Sequence, residues 1–312
     1  MKQLSQLSAK KIIAGLTPAD NLKLDKMETQ AIDFIRSISK LREPLWLAYS
    51  GGKDSEVLYH LCQKAGVEFV GFYNNTTIDP PGTIKWVQQH ENVIVMQPRR
   101  SFFTLIEHRG FPSRIHRFCC EKLKERYTAS AFMSGIRASE SKRRREKYKE
   151  PEVCWTYKHG QKSRVYLPIL QWEDKHIAEY VRAENIQCHP LYYDSNGTFC
   201  VNRRLGCIGC PLQYDRGFKE FKQYPRMVRA WCRAMAVYRN TRPVLTRSVS
   251  YFENEYENMY YHLFCKNIEQ FRLIRESQQN FNPRETLMET FQIELPPPAA
   301  PLSVLQSRLP LP

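Results

Sequence analysis

The stretch Leu45-Trp46-Leu47-Ala48-Tyr49-Ser50-Gly51-Gly52-Lys53-Asp54-Ser55 decides how the rest of the chain is read. An apolar run breaks into a glycine turn. Beyond it Val57, Leu58, Leu61, Cys62 and Ala65 recur on one helical face, and Gly66 sits where a helix C-terminus often stops. The segment therefore reads as strand, anion-binding loop and helix. Just ahead of a helix N-terminus, unpaired backbone N–H groups and the positive end of the helix dipole favour a phosphate, and glycines let the backbone approach it closely. Lys53 adds a positive charge, while Ser50 and Ser55 add hydroxyl donors.

A Walker A loop needs a glycine five residues before its Gly-Lys pair and a Ser or Thr directly after it. Those positions hold Leu47 and Asp54, which excludes it. The hexapeptide Ser50-Gly51-Gly52-Lys53-Asp54-Ser55 instead resembles the PP-loop of the N-type ATP pyrophosphatases. That resemblance implies that Ser50, Gly51, Gly52, Lys53, Asp54 and Ser55 bind the pyrophosphate of ATP while a nucleophile attacks the α-phosphorus. Lys53 would offset charge on the leaving pyrophosphate, and Asp54 would be an indirect ligand of Mg2+.

Working outward, Phe69-Val70-Gly71-Phe72-Tyr73 reads as a second strand, Thr83 to Glu91 as a helix and Val93-Ile94-Val95-Met96 as a third strand. Strands alternating with short helices indicate βαβ units, so the fold class is α/β with a Rossmann-like, mostly parallel sheet flanked by helices. Ligands of such sheets sit outside the carboxyl ends of the strands, which turns the loop from Asn74 to Gly82 towards a nucleotide. Ala131 to Ser134 is a further strand. It leads into Gly135-Ile136-Arg137 and the charge run Ser141 to Arg145, which reads as a solvated face or flexible loop whose arginines can also fold over a phosphate or a nucleic-acid backbone. Arg137 is the arginine of this stretch most readily given a function. Val165 to Ile169 gives another strand, and Asp174 to Glu184 a helix.

The division expected is a helical extension over 1–42, a nucleotide-binding α/β domain over 43–215, a helical region over 216–290 and a Pro-rich disordered tail over 291–312. In the extension Ala31, Phe34, Ile35 and Ile38 form one apolar face, and the aromatics that crowd the helical region read as packing. Lys and Arg number 47 against 32 Asp and Glu, a net charge of +15 that draws polyanions such as nucleotides or nucleic acid. No apolar run approaches a membrane span and no signal-peptide core opens the chain, so the expected location is the cytoplasm. There, ten cysteines point to metal ligands or redox groups rather than to a disulfide framework.

Cys119-Cys120 and Cys207-Ile208-Gly209-Cys210 supply four thiolates in two tight pairs, enough for a closed zinc site or an iron–sulfur cluster. Adjacent cysteines are not a usual zinc spacing, which favours the cluster while leaving Zn2+ open. The basic stretch Arg114 to Arg117 would stabilise thiolates, and Cys200 is a substitute ligand. Cys62, Cys232 and Cys265 fall in amphipathic helices and read as buried hydrophobes.

Together with the loop, Ser134-Gly135-Ile136-Arg137 with Glu140-Ser141, Leu167-Pro168-Ile169-Leu170-Gln171-Trp172, His189-Pro190-Leu191-Tyr192 and Gly206-Cys207-Ile208-Gly209-Cys210-Pro211 resemble the phosphoadenosine phosphosulfate reductase family of the adenine-nucleotide α-hydrolase-like superfamily. The resemblance spans about Leu45 to Tyr224. It implies a 4Fe-4S cluster on Cys119, Cys120, Cys207 and Cys210, and a phosphate contact for Arg137. Two departures follow from the same comparison. Sulfonucleotide reductases carry a degenerate phosphate loop and a nucleophilic cysteine near the C-terminus, whereas here Ser50 to Ser55 is intact and no such cysteine context follows Cys210. Both favour ATP and move the expected activity towards iron–sulfur sulfurtransferases that adenylate an acceptor, with nucleic acid or a protein sulfur donor as partner. The alternatives are a sulfonucleotide (APS or PAPS) reductase and a zinc-stapled nucleic-acid-binding protein.

Overall fold

The structure, a computed structural model, describes residues 18–41, 44–157, 160–241 and 251–299. Residues 1–17 of the expected extension and 300–312 of the expected tail lie outside them. The chain forms two compact units. The first comprises the described residues up to Asn75, Pro81–Gln97 and Tyr127–Leu205; the second comprises Thr76–Pro80, Pro98–Arg126 and the described residues from Gly206 onward. Along the chain the segments of the two units alternate.

In the first unit the strands are β1 Leu45–Ala48, β2 Phe69–Asn74, β3 Val93–Met96, β4 Ala131–Ser134, β5 Glu152–Thr156 and β6 Lys162–Tyr166. They form one sheet in the order β3-β2-β1-β4-β6-β5, parallel except for β5, which lies antiparallel to β6 at the edge. β1 is flanked by β2, with Leu45 opposite Phe69, and by β4, with Ala48 opposite Ser134. The chain moves from β1 out to β2 and β3 and returns to β4 on the other side. The order therefore reverses at the carboxyl end of β1, where open α/β sheets bind ligands.

Alternation along β1 sorts its side chains between two cores. Leu45 and Leu47 join Ala31, Ile35 and Ile38 of α1 (Pro18–Ser39) and Leu58 and Leu61 of α2 (Lys53–Ala65). Trp46 and Ala48 pack with Phe72, Phe132 and Val165. α2 ends as expected at Gly66, in the left-handed region with φ 68°.

Several boundaries differ from expectation for identifiable reasons. β6 stops at Tyr166 instead of running to Ile169: Leu167 N still donates to Pro151 O at 2.7 Å, in register with β5, but Pro168 has no N–H to carry the ladder further. α3 (Thr83–Val87) ends short of Glu91 because Gln89 N and His90 N bond three residues back, to Trp86 O and Val87 O, and tighten the chain into a turn. The charge run forms the helix α5 (Lys142–Lys147), with Ser141 Oγ accepting from Arg144 N at 3.2 Å and no residue buried. α6 (Asp174–Ala183) follows near its expected bounds. The edge strand β5 was not anticipated.

The second unit contains α4 (Phe102–Arg109), α7 (Phe218–Gln223), α8 (Arg226–Thr241) and the helices Glu255–Phe264, Ile268–Ser277 and Pro283–Phe291. Its core gathers Phe102, Ile106, Phe221, Trp231, Tyr256, Leu287 and Phe291, so these aromatics pack as expected. No described helix is long and apolar enough to cross a membrane.

Candidate functional site

The loop between β1 and α2 is closed on itself. Gly51 adopts φ 73°, a left-handed conformation that a side chain would strain, with Leu205, Trp86 and Val87 around the space its Cβ would enter. Gly52 O accepts Ser55 N at 2.9 Å, Glu56 N at 3.0 Å and Ser55 Oγ at 2.8 Å. Ser50 N donates to Ser55 Oγ at 3.2 Å, and the two serine hydroxyls are themselves 3.2 Å apart. The hydroxyls expected to meet phosphate thus also hold the loop's shape.

Lys53 and Asp54 open α2. Lys53 is only 7% exposed, with Nζ 3.2 Å from Asp54 Oδ2 and 5.8 Å from the centroid of the Tyr192 ring. Asp54 Oδ1 accepts from Arg137 Nε at 2.7 Å. Arg137, 1% exposed, also donates from Nη2 to Asp174 Oδ1 at 2.6 Å and from Nη1 to Ser139 Oγ at 3.0 Å and Trp172 O at 3.3 Å. A buried guanidinium must place its donors, and these four bonds use most of the five. Through these bonds Arg137 orients Asp54. Gly135 makes this possible, since a Cβ there would lie 2.8 Å from Asp54 O.

Sequence reasoning did not single out what surrounds the loop. Glu56, 3% exposed in the first turn of α2, accepts from the Tyr49 hydroxyl and from Trp86 Nε1, and pairs with His90 Nε2 at 3.0 Å. Burial opposes charge on His90, but the hydrogen bond and charge of Glu56 outweigh it and hold its pKa above the ordinary value. Burial, reinforced by Glu56, holds the Tyr49 phenol well above its usual range. Cys188 is 2% exposed, and burial pushes its thiol up to about 12. Tyr192, inside the quoted His189 to Tyr192 motif, packs its hydroxyl against Gly52.

The four expected ligands lie together in the second unit. Cys119 precedes a wide helical turn, Cys120–Lys124. Cys207 and Cys210 close a tight turn through Cys210 N to Cys207 O at 3.3 Å, with Gly209 at φ 74°. Ile208 N donates to Ile78 O at 2.9 Å, and Cys207 Sγ lies 3.6 Å from both Thr76 Oγ1 and Asp79 Oδ1. Gly209 is a contact point: a Cβ there would lie 2.5 Å from Phe221 Cζ and 2.6 Å from Trp231 Cζ2.

The thiols act on one another's ionisation. Cys119 donates to Cys120, which raises its pKa, with burial and the charges of Cys120, Cys207 and Cys210 adding to the effect. The same bond lowers Cys120 to about 7 against burial. Burial first, then Asp79, pushes Cys207 up to about 12. The Arg117 and Lys124 charges act on Cys120, and Lys124 also on Cys207, and favour the thiolate of each. Among the described residues no three His, Cys, Asp or Glu side chains converge for a single ion, whose sulfur ligands must each lie about 2.3 Å from one centre. Cys62, Cys232 and Cys265 are buried as expected, and Cys200 Sγ donates to Thr198 O at 3.5 Å.

A mostly parallel sheet with a glycine loop at the strand where its order reverses defines an α/β nucleotide-binding protein of the adenine-nucleotide α-hydrolase-like kind. Residues 44–213 match the phosphoadenosine phosphosulfate reductase domain, and the chain belongs to that family. An uncharacterised protein of Methanocaldococcus jannaschii is 27% identical over 232 residues, covering 69% of this chain and 46% of the relative. The chain thus spans about half the length of that relative. A sulfate adenylyltransferase subunit 2 of Chromohalobacter salexigens is 26% identical, covering 58% of this chain and 70% of its own. Among solved structures, a phosphoadenylyl-sulfate reductase from Candida auris aligns with a TM-score of 0.39 at 11% identity, over 62% of this chain and 96% of the other.

Proposed function

We propose that this protein is a cytoplasmic PP-loop enzyme that binds ATP with Mg2+, releases pyrophosphate on adenylating an acceptor oxygen, and supports replacement of that oxygen by sulfur. The observation that carries the reading is the intact, closed loop Ser50 to Ser55 with Lys53 buried beside Asp54, at the reversal point of the sheet. Gly51 and Gly52 would admit the phosphates to backbone N–H groups, and Lys53 would offset charge developing on the leaving pyrophosphate. Arg137 holds Asp54 in the orientation from which it would reach a magnesium ion through water. Cys119, Cys120, Cys207 and Cys210 would hold a 4Fe-4S cluster, which supplies sulfide or electrons when bound. The net charge of +15 and the exposed basic α5 support a polyanionic acceptor such as nucleic acid.

Incubation with α-labelled ATP and candidate RNA or DNA acceptors tests the reading. AMP and pyrophosphate should form in an acceptor-dependent reaction that Lys53→Ala abolishes. Membership of the family supports a second reading, a sulfonucleotide reductase using an external thiol. Sulfite release from adenylyl sulfate or its 3′-phosphorylated form, with no AMP from ATP, would select it.

A further inference from the structure

Tyr192 sits at the phosphate loop with one unused function. It is 3% exposed, its ring lies 5.8 Å from Lys53 Nζ, and a Cβ on Gly52 would be 3.3 Å from its hydroxyl oxygen. The Pro190–Tyr192 turn that carries it is fixed at each end. His189 Nδ1 accepts from Leu191 N at 3.2 Å, Tyr192 N donates to His189 O at 2.9 Å, and Cys200 N donates to Tyr192 O at 2.7 Å. Leu205 N donates to the phenol oxygen at 3.2 Å. With that N–H on the oxygen, what remains is the hydroxyl hydrogen. No acceptor for it is present among the described residues, and a buried donor left without one is costly.

We propose that Tyr192 is a phosphate-binding residue whose hydroxyl donates to an oxygen of the pyrophosphate portion of the nucleotide, beside Lys53. The inference rests on the ATP reading and names a donor that the loop motif does not contain. Lys53 supplies charge without direction, whereas a buried phenol held through its oxygen by Leu205 N supplies a directed donor. Burial pushes the phenol up to about 12, so it keeps its proton at neutral pH. Since Leu205 N contributes to the pinning, the approach of the chain to residue 205 helps to set the site.

The test is calorimetric titration of inorganic pyrophosphate, Mg-ATP and AMP into the full chain and into Tyr192→Phe, which keeps the ring beside Lys53. Pyrophosphate and ATP should each bind roughly 10- to 100-fold more weakly to the variant, the loss typical of one hydrogen bond to a charged group, with AMP affinity unchanged. Unchanged pyrophosphate affinity in a variant that still binds AMP would overturn the proposal. A wild-type chain that binds neither ATP nor pyrophosphate would instead overturn the ATP reading, and this inference with it. Should Tyr192→Phe fail to fold, 3-fluorotyrosine placed at position 192 keeps the question open to measurement. Its fluorine resonance should shift saturably with pyrophosphate and not with AMP, and a resonance indifferent to pyrophosphate would rule the contact out.

Discussion

Arg137 Nε stands 2.7 Å from Asp54 Oδ1, while Nη2 of the same guanidinium stands 2.6 Å from Asp174 Oδ1. One buried cation therefore ties the first turn of α2 to the start of α6. The two carboxylates are unequal: Asp54 is 19% exposed and Asp174 is 55% exposed. Removing the cation leaves the more buried carboxylate with Lys53 Nζ, 3.2 Å away, as its counter-charge and without its Arg137 hydrogen bond, so Arg137→Ala should destabilise by about 2 kcal/mol, whereas Asp174→Asn should cost under about 1 kcal/mol because water screens that pair. Urea unfolding of both variants checks the order, and equal losses would contradict it.

Two glycines give a sharper contrast. Gly135→Ala drives a Cβ to within 2.8 Å of the Asp54 carbonyl, backbone that cannot move without shifting the loop, while Gly66 has nothing within 4 Å and only its φ of 68° to strain. Gly66→Ala should lower stability by about 1 kcal/mol and leave ATP affinity intact. Gly135→Ala should weaken ATP binding tenfold or more by displacing Asp54. Nucleotide titration alongside thermal melting separates the two effects.

The proposed ligand set predicts a pattern of metal content. Anaerobically purified protein should be brown with about four iron atoms per chain, as the cluster type requires. Cys207→Ser and Cys210→Ser should each lose iron and stability together, because metal binding is coupled to folding. Cys232→Ser, in the buried face of α8, should keep its iron at a packing cost only. Full iron content in the Cys207→Ser, Cys210→Ser double variant would refute the ligand set, and a colourless protein with one zinc would refute the cluster.

Stability should depend on pH through His90. Its pKa is raised in the folded chain by Glu56, so its contribution is fully present below the ordinary histidine value of about 6.5 and is lost as pH rises through the higher folded value. Urea midpoints recorded from pH 5.5 upward should therefore fall by a component that is missing in His90→Gln. An identical profile in the variant would assign that pH dependence elsewhere.

What could be read from sequence was local. The unit from β1 through the loop to α2 was legible because alternation, glycines and a helical stripe follow one another within a few residues. Cys119-Cys120 with Cys207 to Cys210 were legible by residue type. The partners of Arg137 were not: Asp174 lies 37 residues on, and no periodicity announces that a side chain will reach across a sheet edge. The Tyr49, Glu56, Trp86 and His90 network was hidden likewise, since each residue alone looks like ordinary core or surface. β5 was missed because only Val153 and Trp155 mark its inward face, within a stretch otherwise polar and exposed.

The interleaving of the two compact units also sets an order in time. All of the first unit has been synthesised once Leu205 is made, whereas Cys119 and Cys120 still await Cys207 and Cys210. At about 5–20 residues per second, a nascent chain carries the first thiol pair for several seconds before its partners exist. A cluster held by all four cysteines, as proposed, would have to be loaded after the ribosome has passed residue 210, when every residue of the first unit has been made.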